Sequence, residues 1–340
     1  MPQGRPGPLD RAERILFVRT DRLGETILNL PAVTALRAAW PQASVTMLVS
    51  RELQPLLERW PQIDHVVTYD PGARAGGWTA AIRLSRQLRQ LRFQVAIVSN
   101  PKKEFHLAIW LAGIPCRVGY DRKWDRLLTH RVPERKAIGD RHEVEYNLDL
   151  VRALGLSPST PQWSSPQFSH EQDDVRDLLQ PSGCRLTDPL LIVHPWSSHP
   201  AKEWPASCYR ALLRQLLERV PAKLVVIGSP QPRERIEQIV PTDASIANLV
   251  GRTSLPQLAA LLQRATLLIS GDSGPVHLSS ALGTRTVALF GTTNPATGPG
   301  RWGPWGPGHV VIWKPSMDSI TVDEVVEATQ QQWQAVRQVG

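Results

Sequence analysis

Short apolar runs of strand type alternate with helical patterns along nearly the whole chain, and this alternation restricts the fold more than any other feature. Runs such as Ile15-Leu16-Phe17-Val18 and Leu190-Leu191-Ile192-Val193 have no polar side to turn toward water. They predict strands covered on both faces, the condition of a parallel sheet between helix layers. In the first half the predicted strands are 15–18, 45–49, 65–69 and 95–98, with helices near 26–40, 52–60 and 78–91. The Ser-, Pro- and Gln-rich segment 156–169 breaks the rhythm and reads as a linker. The alternation then restarts, with strands at 190–193, 224–227, 266–269 and 286–290 and helices near 206–219, 233–240, 255–265 and 322–336. The expectation is an α/β protein of two doubly wound domains, 1–165 and 166–320, followed by a helical segment 321–340 able to pack back across the cleft between them.

Length permits this: 340 residues with 41% hydrophobic content can build two cores. Cys116, Cys184 and Cys208 lie far apart without metal-ligand spacing, which points to reduced thiols and a cytoplasmic setting. Residues 1–11 lack the apolar centre of a signal peptide and no run is long enough to span a bilayer, so a soluble or peripheral protein is expected. The net charge of +8 calls for an anionic partner. Nucleic acid is disfavoured because the positive charge is not joined to an aromatic stacking motif.

Chemistry is concentrated where predicted strands end. Strand 266–269 runs into Ser270-Gly271-Asp272-Ser273-Gly274-Pro275-Val276-His277, a cap, a flexible turn and a proline suited to the first turn of a helix. The open amides of such a helix start favour an anion, so the stretch reads either as a phosphate site or as a plain helix cap beside a buried histidine. Strand 190–193 runs into His194-Pro195-Trp196-Ser197-Ser198-His199-Pro200-Ala201-Lys202. Its hydroxyls and Lys202 suit a diphosphate, while a Ser/Lys nucleophile pair is a competitor without other hydrolase features. The histidines His194, His199 and His277 match no compact metal site. Strand 15–18 leads to Asp21, Gly24 and Glu25, two carboxylates at a strand exit that serve either as acid–base groups or as complements to a helix dipole. No Gly-x-Gly-x-x-Gly and no Walker loop is present.

Taken in order, several segments resemble glycosyltransferase family 9, the lipopolysaccharide heptosyltransferase family. They are Arg19 to Pro31, Trp110 to Tyr120, His142-Glu-Val-Glu-Tyr-Asn147, Lys202-Glu-Trp-Pro205, Asp272 to Leu278 and Phe290-Gly-Thr-Thr-Asn-Pro295. The resemblance implies a GT-B architecture, two Rossmann-like domains facing across a cleft. It implies an inverting transfer, without metal or other cofactor, of a sugar from a nucleotide-diphosphate donor, ADP-heptose being the family expectation. The implied acceptor is a glycolipid or oligosaccharide of the lipopolysaccharide core, met by a peripheral protein at the inner face of the plasma membrane. Family members carry the general base at the position of Glu25, commonly as aspartate, and Asp21 is the alternative. The resemblance further implies donor contacts from Ser197, Ser198, Lys202, Glu234, Asp272, Ser273, Gly274 and His277. The basic residues Lys102, Lys103 and Arg122 are expected to meet the acceptor. A nucleotide-sugar epimerase and a noncatalytic sugar-nucleotide-binding protein are the alternatives on the same fold.

Overall fold

The computed structural model describes residues 11–69, 77–158, 165–185, 187–241 and 245–337. Most of the amino-terminal segment 1–11, and 159–164 of the expected linker, lie outside the described residues. The chain divides into two compact units, 1–164 and 165–340.

Among the described residues the first unit holds six strands, β1 (Arg14–Val18), β2 (Ser44–Ser50), β3 (His65–Tyr69), β4 (Val95–Val98), β5 (Cys116–Tyr120) and β6 (His130–Val132), and six α-helices. These are α1 (Leu23–Ile27), α2 (Leu30–Ala39), α3 (Gln54–Leu57), α4 (Trp78–Leu91), α5 (Lys103–Leu111) and α6 (Glu143–Arg152). The strands pair in parallel in the order β3-β2-β1-β4-β5-β6. Ile15 to Val18 and Val95 to Val98 are fully buried, as unbroken apolar strands in the middle of a covered sheet must be. The single helix expected over 26–40 is two helices, because Pro31 lacks the N–H that would donate to the carbonyl of Ile27 and its ring crowds that turn.

The second unit repeats the plan with β7 (Leu190–His194), β8 (Lys223–Val226), β9 (Ile246–Asn248), β10 (Leu267–Gly271), β11 (Arg285–Gly291) and β12 (Val310–Lys314). Its helices are α7 (Gln172–Leu179), α8 (Ala206–Arg219), α9 (Arg233–Ile239), α10 (Leu255–Arg264), α11 (Gly274–Ala281), α12 (Pro299–Trp302) and α13 (Val322–Arg337). The parallel order β12-β11-β10-β7-β8-β9 is the first unit's order again, read from the other edge. The last helix α13 lies against α8 and β11, and Val325, Val326, Ala328 and Trp333 enter the same core as Leu212, Leu216 and Ile269. Gly291 ends β11 under the segment Ser316–Met317: a Cβ there would sit 2.1 Å from the Met317 nitrogen, so only glycine allows that approach.

All three cysteines are free thiols. Among the described residues no helix is long and apolar enough to cross a membrane.

Candidate active site

A doubly wound sheet opens a crevice where neighbouring strands send their connections to opposite faces, at the carboxyl ends of the strands. In the first unit that point lies between β1 and β4, and in the second between β7 and β10. Both places are occupied by an aspartate and a lysine drawn from the two strand ends.

At the end of β1, Arg19 is 6% exposed and turns inward. Its Nη1 donates to Ser99 Oγ at 3.0 Å and to the Ser99 carbonyl at 3.2 Å, beyond the end of β4. Its Nη2 pairs with Asp21 at 3.2 Å. Asn100 Nδ2 donates to Asp21 Oδ1 at 3.0 Å, and Lys102 stands 3.6 Å from the same oxygen. Asp21 is therefore an anchored carboxylate, held by three positive or donating partners. Glu25, in the first turn of α1, is half-buried and makes no side-chain hydrogen bond or ion pair among the described residues. The two acids share a wide depression of about 800 Å³ with Arg51, Glu52, Tyr69 and Lys102.

The floor beneath this depression is a buried polar network. Ser99 Oγ donates to Asn29 Oδ1 at 2.5 Å, and Asn29 Nδ2 in turn donates to the Glu25 carbonyl at 2.6 Å. Asn147 Nδ2 holds the Leu28 carbonyl at 3.1 Å, while its Oδ1 accepts from Lys136 and Tyr120, each at 3.3 Å. Lys136 pairs with Glu143 at 2.5 Å and lies 4.4 Å from the centre of the Tyr120 ring. Burial, reinforced by the Glu143 charge, pushes the Tyr120 phenol well above its ordinary range. Side chains from five separate stretches thus fix the backbone at Glu25 and the α1–α2 junction. This gives a physical role to the Tyr120 and His142–Asn147 segments.

In the second unit the loop after β7 folds over the end of β10. Lys202 Nζ pairs with Asp272 Oδ2 at 2.5 Å, the aspartate side chain being 10% exposed. Burial raises the Asp272 carboxyl above the usual carboxylate range, and Lys202 works against that rise. Ser197 Oγ donates to the Asp272 carbonyl at 3.2 Å. The Ser197 amide donates to Glu203 Oε1 at 3.2 Å, and Arg235 clamps the other oxygen of Glu203 at 2.6 Å. Trp204 Nε1 donates to the Ile320 carbonyl at 2.9 Å, so each polar member of Lys202-Glu203-Trp204 ties the loop to a different neighbour.

Ser273 occupies the N-cap position of α11, yet its hydroxyl caps nothing, a departure from the expected cap. It lies 2.8 Å from Ser270 Oγ and 3.2 Å from His194 Nδ1, and these buried partners draw it away from the helix amides. Burial pushes the His194 imidazole down to about 4, so it serves this cluster as a neutral ring. The helix start is left without a side-chain cap, the state in which its amides and dipole favour an anion. A cavity of about 280 Å³ opens beside it, lined by His199, Lys202, Asp272, Phe290, Thr292 and Met317 among others.

The remaining expected residues are more scattered. Ser198 is exposed in the loop of Ser197, and Gly274 begins α11. His277 is 3% exposed, its ring 6.4 Å from that of Trp302, and it does not line the cavity. Glu234 is exposed in the first turn of α9, also outside the cavity lining. Lys103 and Arg122 are exposed and do not line the first unit's depression, which takes only Lys102 from the expected acceptor group. Among the described residues no group of three or more His, Cys, Asp or Glu side chains is placed to hold a metal ion.

The profile of glycosyltransferase family 9 (heptosyltransferase) matches residues 81–330. The chain belongs to this family. It is a glycosyltransferase of the GT-B fold, built from two Rossmann-like units. Lipopolysaccharide heptosyltransferase 2 of Escherichia coli is 25% identical over 294 residues, spanning 83% of this chain and 84% of that one. The family 9 glycosyltransferase structure from Veillonella parvula superposes with a TM-score of 0.85 at 22% identity, covering 96% of this chain and 99% of that one. The E. coli heptosyltransferase WaaC, solved with ADP, gives a TM-score of 0.74 at 19% identity, with 94% and 99% covered.

Within this family 9 glycosyltransferase, several site residues escaped the sequence reading. Arg19, Asn29, Ser99, Asn100, Lys136, Asn147, Glu203 and Arg235 hold the acids or the loop in place through the contacts described above. Their partners are mostly distant in sequence, 80 residues for Arg19 and Ser99 and 119 for Asn147 and Leu28. Arg19, Asn29, Asn147 and Glu203 lie in segments that carry the family resemblance, and Ser99-Asn100 stands out as polar residues after the apolar run Val95 to Val98.

Proposed function

We propose that the chain transfers a heptose from ADP-heptose to a hydroxyl of a lipopolysaccharide core acceptor, with inversion at the anomeric carbon. The observation that carries this reading is the pairing of a carboxylate without partners among the described residues, Glu25, beside an anchored one, Asp21. A general base must be open to a substrate proton, and of the two acids Glu25 alone meets that condition. Relatives support the choice of substrates: one is a lipopolysaccharide heptosyltransferase, and another was solved with ADP.

In the proposed reaction the Glu25 carboxylate takes the proton from the acceptor hydroxyl. The acceptor oxygen bonds to the anomeric carbon from the face opposite the diphosphate, the bond from that carbon to the diphosphate oxygen breaks, and ADP departs with the bonding pair. Lys202 and the uncapped start of α11 stabilise the charge that gathers on the leaving diphosphate. Ser197 and Ser273 add directed hydrogen bonds, with Ser198, Gly274 and His277 in the surrounding shell. Glu234, at the start of α9, is assigned to the ribose. Asp21 keeps Arg19 and Lys102 in place, and Lys102 meets an anionic group of the acceptor. Glutamate reaches one methylene further than the aspartate common in the family, so the acceptor oxygen sits correspondingly further from α1.

The test is incubation of the purified chain with ADP-heptose and a delipidated core acceptor, with the product's anomeric configuration read by NMR. Inverted product with release of ADP is expected. Donor binding without transfer points to a noncatalytic binder, and an altered free sugar without acceptor points to an epimerase; either overturns the proposal.

A further inference from the structure

The first unit presents a second feature outside the acid–base site. Helix α4 follows β3, α5 follows β4, and the turn carrying Arg122, Lys123 and Trp124 follows β5, so all three leave the carboxyl edge of the sheet. Trp78, the first residue of α4, is 59% exposed, and Trp124 is 38% exposed. The two indoles pack edge to face with centroids 5.5 Å apart, yet Trp78 remains largely open to water and Trp124 partly so. Trp124 holds a left-handed backbone with φ of 73°, an unfavourable conformation for a bulky residue. An indole turned outward at that cost is not explained by the core.

The solvent face of α4 extends this feature. At 100° per residue, Trp78, Ile82, Arg86 and Arg89 form one stripe, and Ile82 is 41% exposed. The helix contains Arg83, Arg86 and Arg89 and no carboxylate. Beside it, Lys103, Arg122 and Lys123 are exposed, and none of these three, nor Arg83 or Arg86, forms an ion pair among the described residues. The nearby carboxylates are Glu104, Asp121 and Asp125, and Asp125 is already 3.7 Å from Arg131. The crevice between the two indoles holds only about 10 Å³, too little for a sugar ring or a base.

We propose that this face, centred on Trp78, Ile82 and Trp124 and surrounded by Arg83, Arg86, Lys103 and Lys123, docks on a bilayer surface carrying anionic headgroups. Indoles settle at the headgroup level because one edge is apolar and the N–H is polar. Unpaired cations beside them gain from the negative surface potential. A surface of apolar and cationic groups whose crevice is too small for a ring fits a lipid plane better than a soluble ligand. The proposal shares with the transfer reading only a lipid-linked acceptor, and it stands on surface chemistry that the reaction does not use.

The experiment is co-sedimentation of the full chain with 100 nm vesicles of phosphatidylcholine, with and without phosphatidylglycerol, at low and high NaCl. Wild type is expected to bind the anionic vesicles and to release in high salt. R83Q/R86Q should lower the partition coefficient by tenfold or more, since each basic residue near an anionic surface contributes about fivefold. W78S/W124S should lower it comparably, and R214Q/R219Q, which removes equal charge from α8, should leave it within about twofold. Should the tryptophan variant fail to fold, the exposed arginine pair carries the test alone. Equal binding to neutral vesicles, absence of binding, or equal loss in the two arginine pairs overturns the proposal. So does loss of binding to a soluble phosphorylated oligosaccharide in R83Q/R86Q with vesicle binding unchanged. The vesicles contain neither donor nor acceptor, so the outcome is independent of whether the transfer reaction is assigned correctly.

Discussion

The two units place an aspartate–lysine pair at the same point of the same strand order, but with opposite consequences. In the first unit the aspartate comes from the earlier strand end and the lysine from the later, 3.6 Å apart and both partly exposed. In the second the lysine comes first and the aspartate second, at 2.5 Å, with the acid nearly covered. Arg19, Asn100 and Lys102 share Asp21, so the first unit leaves a second acid, Glu25, free over a floor rich in cations and amides. Lys202 alone offsets the burial of Asp272 and stands beside an uncapped helix start, so the second unit offers positive charge to an incoming anion. In the proposed reaction one topology thus serves a proton acceptor in one unit and an anion receptor in the other, the difference being set by a few side chains at strand ends.

The strongest way to break this contrast is at the first unit's floor. Glu143→Ala leaves Lys136 buried without its carboxylate, a change expected to cost about 3–5 kcal/mol. Urea unfolding should show that loss, and a change under 1 kcal/mol would deny the network its supporting role. At the second unit, Lys202→Ala should weaken ADP binding by about tenfold to a hundredfold, the value of a charge-assisted hydrogen bond. Calorimetry with unaltered affinity would remove Lys202 from the diphosphate assignment.

A milder probe uses pH. The imidazoles of His194 and His309 are both held at about 4 by burial, below the ordinary histidine value. Between about pH 6.5 and 4 the unfolded chain binds protons that the folded histidines refuse, so stability present above pH 6.5 is lost as pH falls through that window. His194→Asn should flatten the stability–pH curve there; an unchanged slope would contradict the neutral ring. The smallest effect is expected from Ser273→Ala, about fivefold in ADP affinity, because its hydroxyl is one of several donors and removes about 1 kcal/mol.

The sheet centres were legible in the sequence because covered parallel strands need uninterrupted apolar runs, as in Val95 to Val98 and Leu267 to Ile269. β5 was not, since Arg117 and Gly119 interrupt it. Arg117 is tolerated by donating to the Leu127 and Ile114 carbonyls, an arrangement set only by tertiary folding. β12 alternates half-buried and exposed residues at the sheet edge and gives no continuous run. The site followed the same rule. Asp21, Glu25, Lys202 and Asp272 were readable as polar residues just beyond strands, whereas Asn29, Lys136, Glu143 and Asn147 act through partners brought close only by folding.

The proposed reaction turns on Glu25 as the proton acceptor and Asp21 as its anchored neighbour. Single-turnover transfer by Glu25→Gln and Asp21→Asn, with ADP affinity measured on the same preparations, tests this most directly. The prediction is that Glu25→Gln loses about 10²–10⁴ in the transfer rate, the usual contribution of a general base, with ADP affinity unchanged within about twofold. Asp21→Asn should retain the larger residual rate. Near-normal transfer by Glu25→Gln, or a deeper loss in Asp21→Asn, would contradict the division of roles.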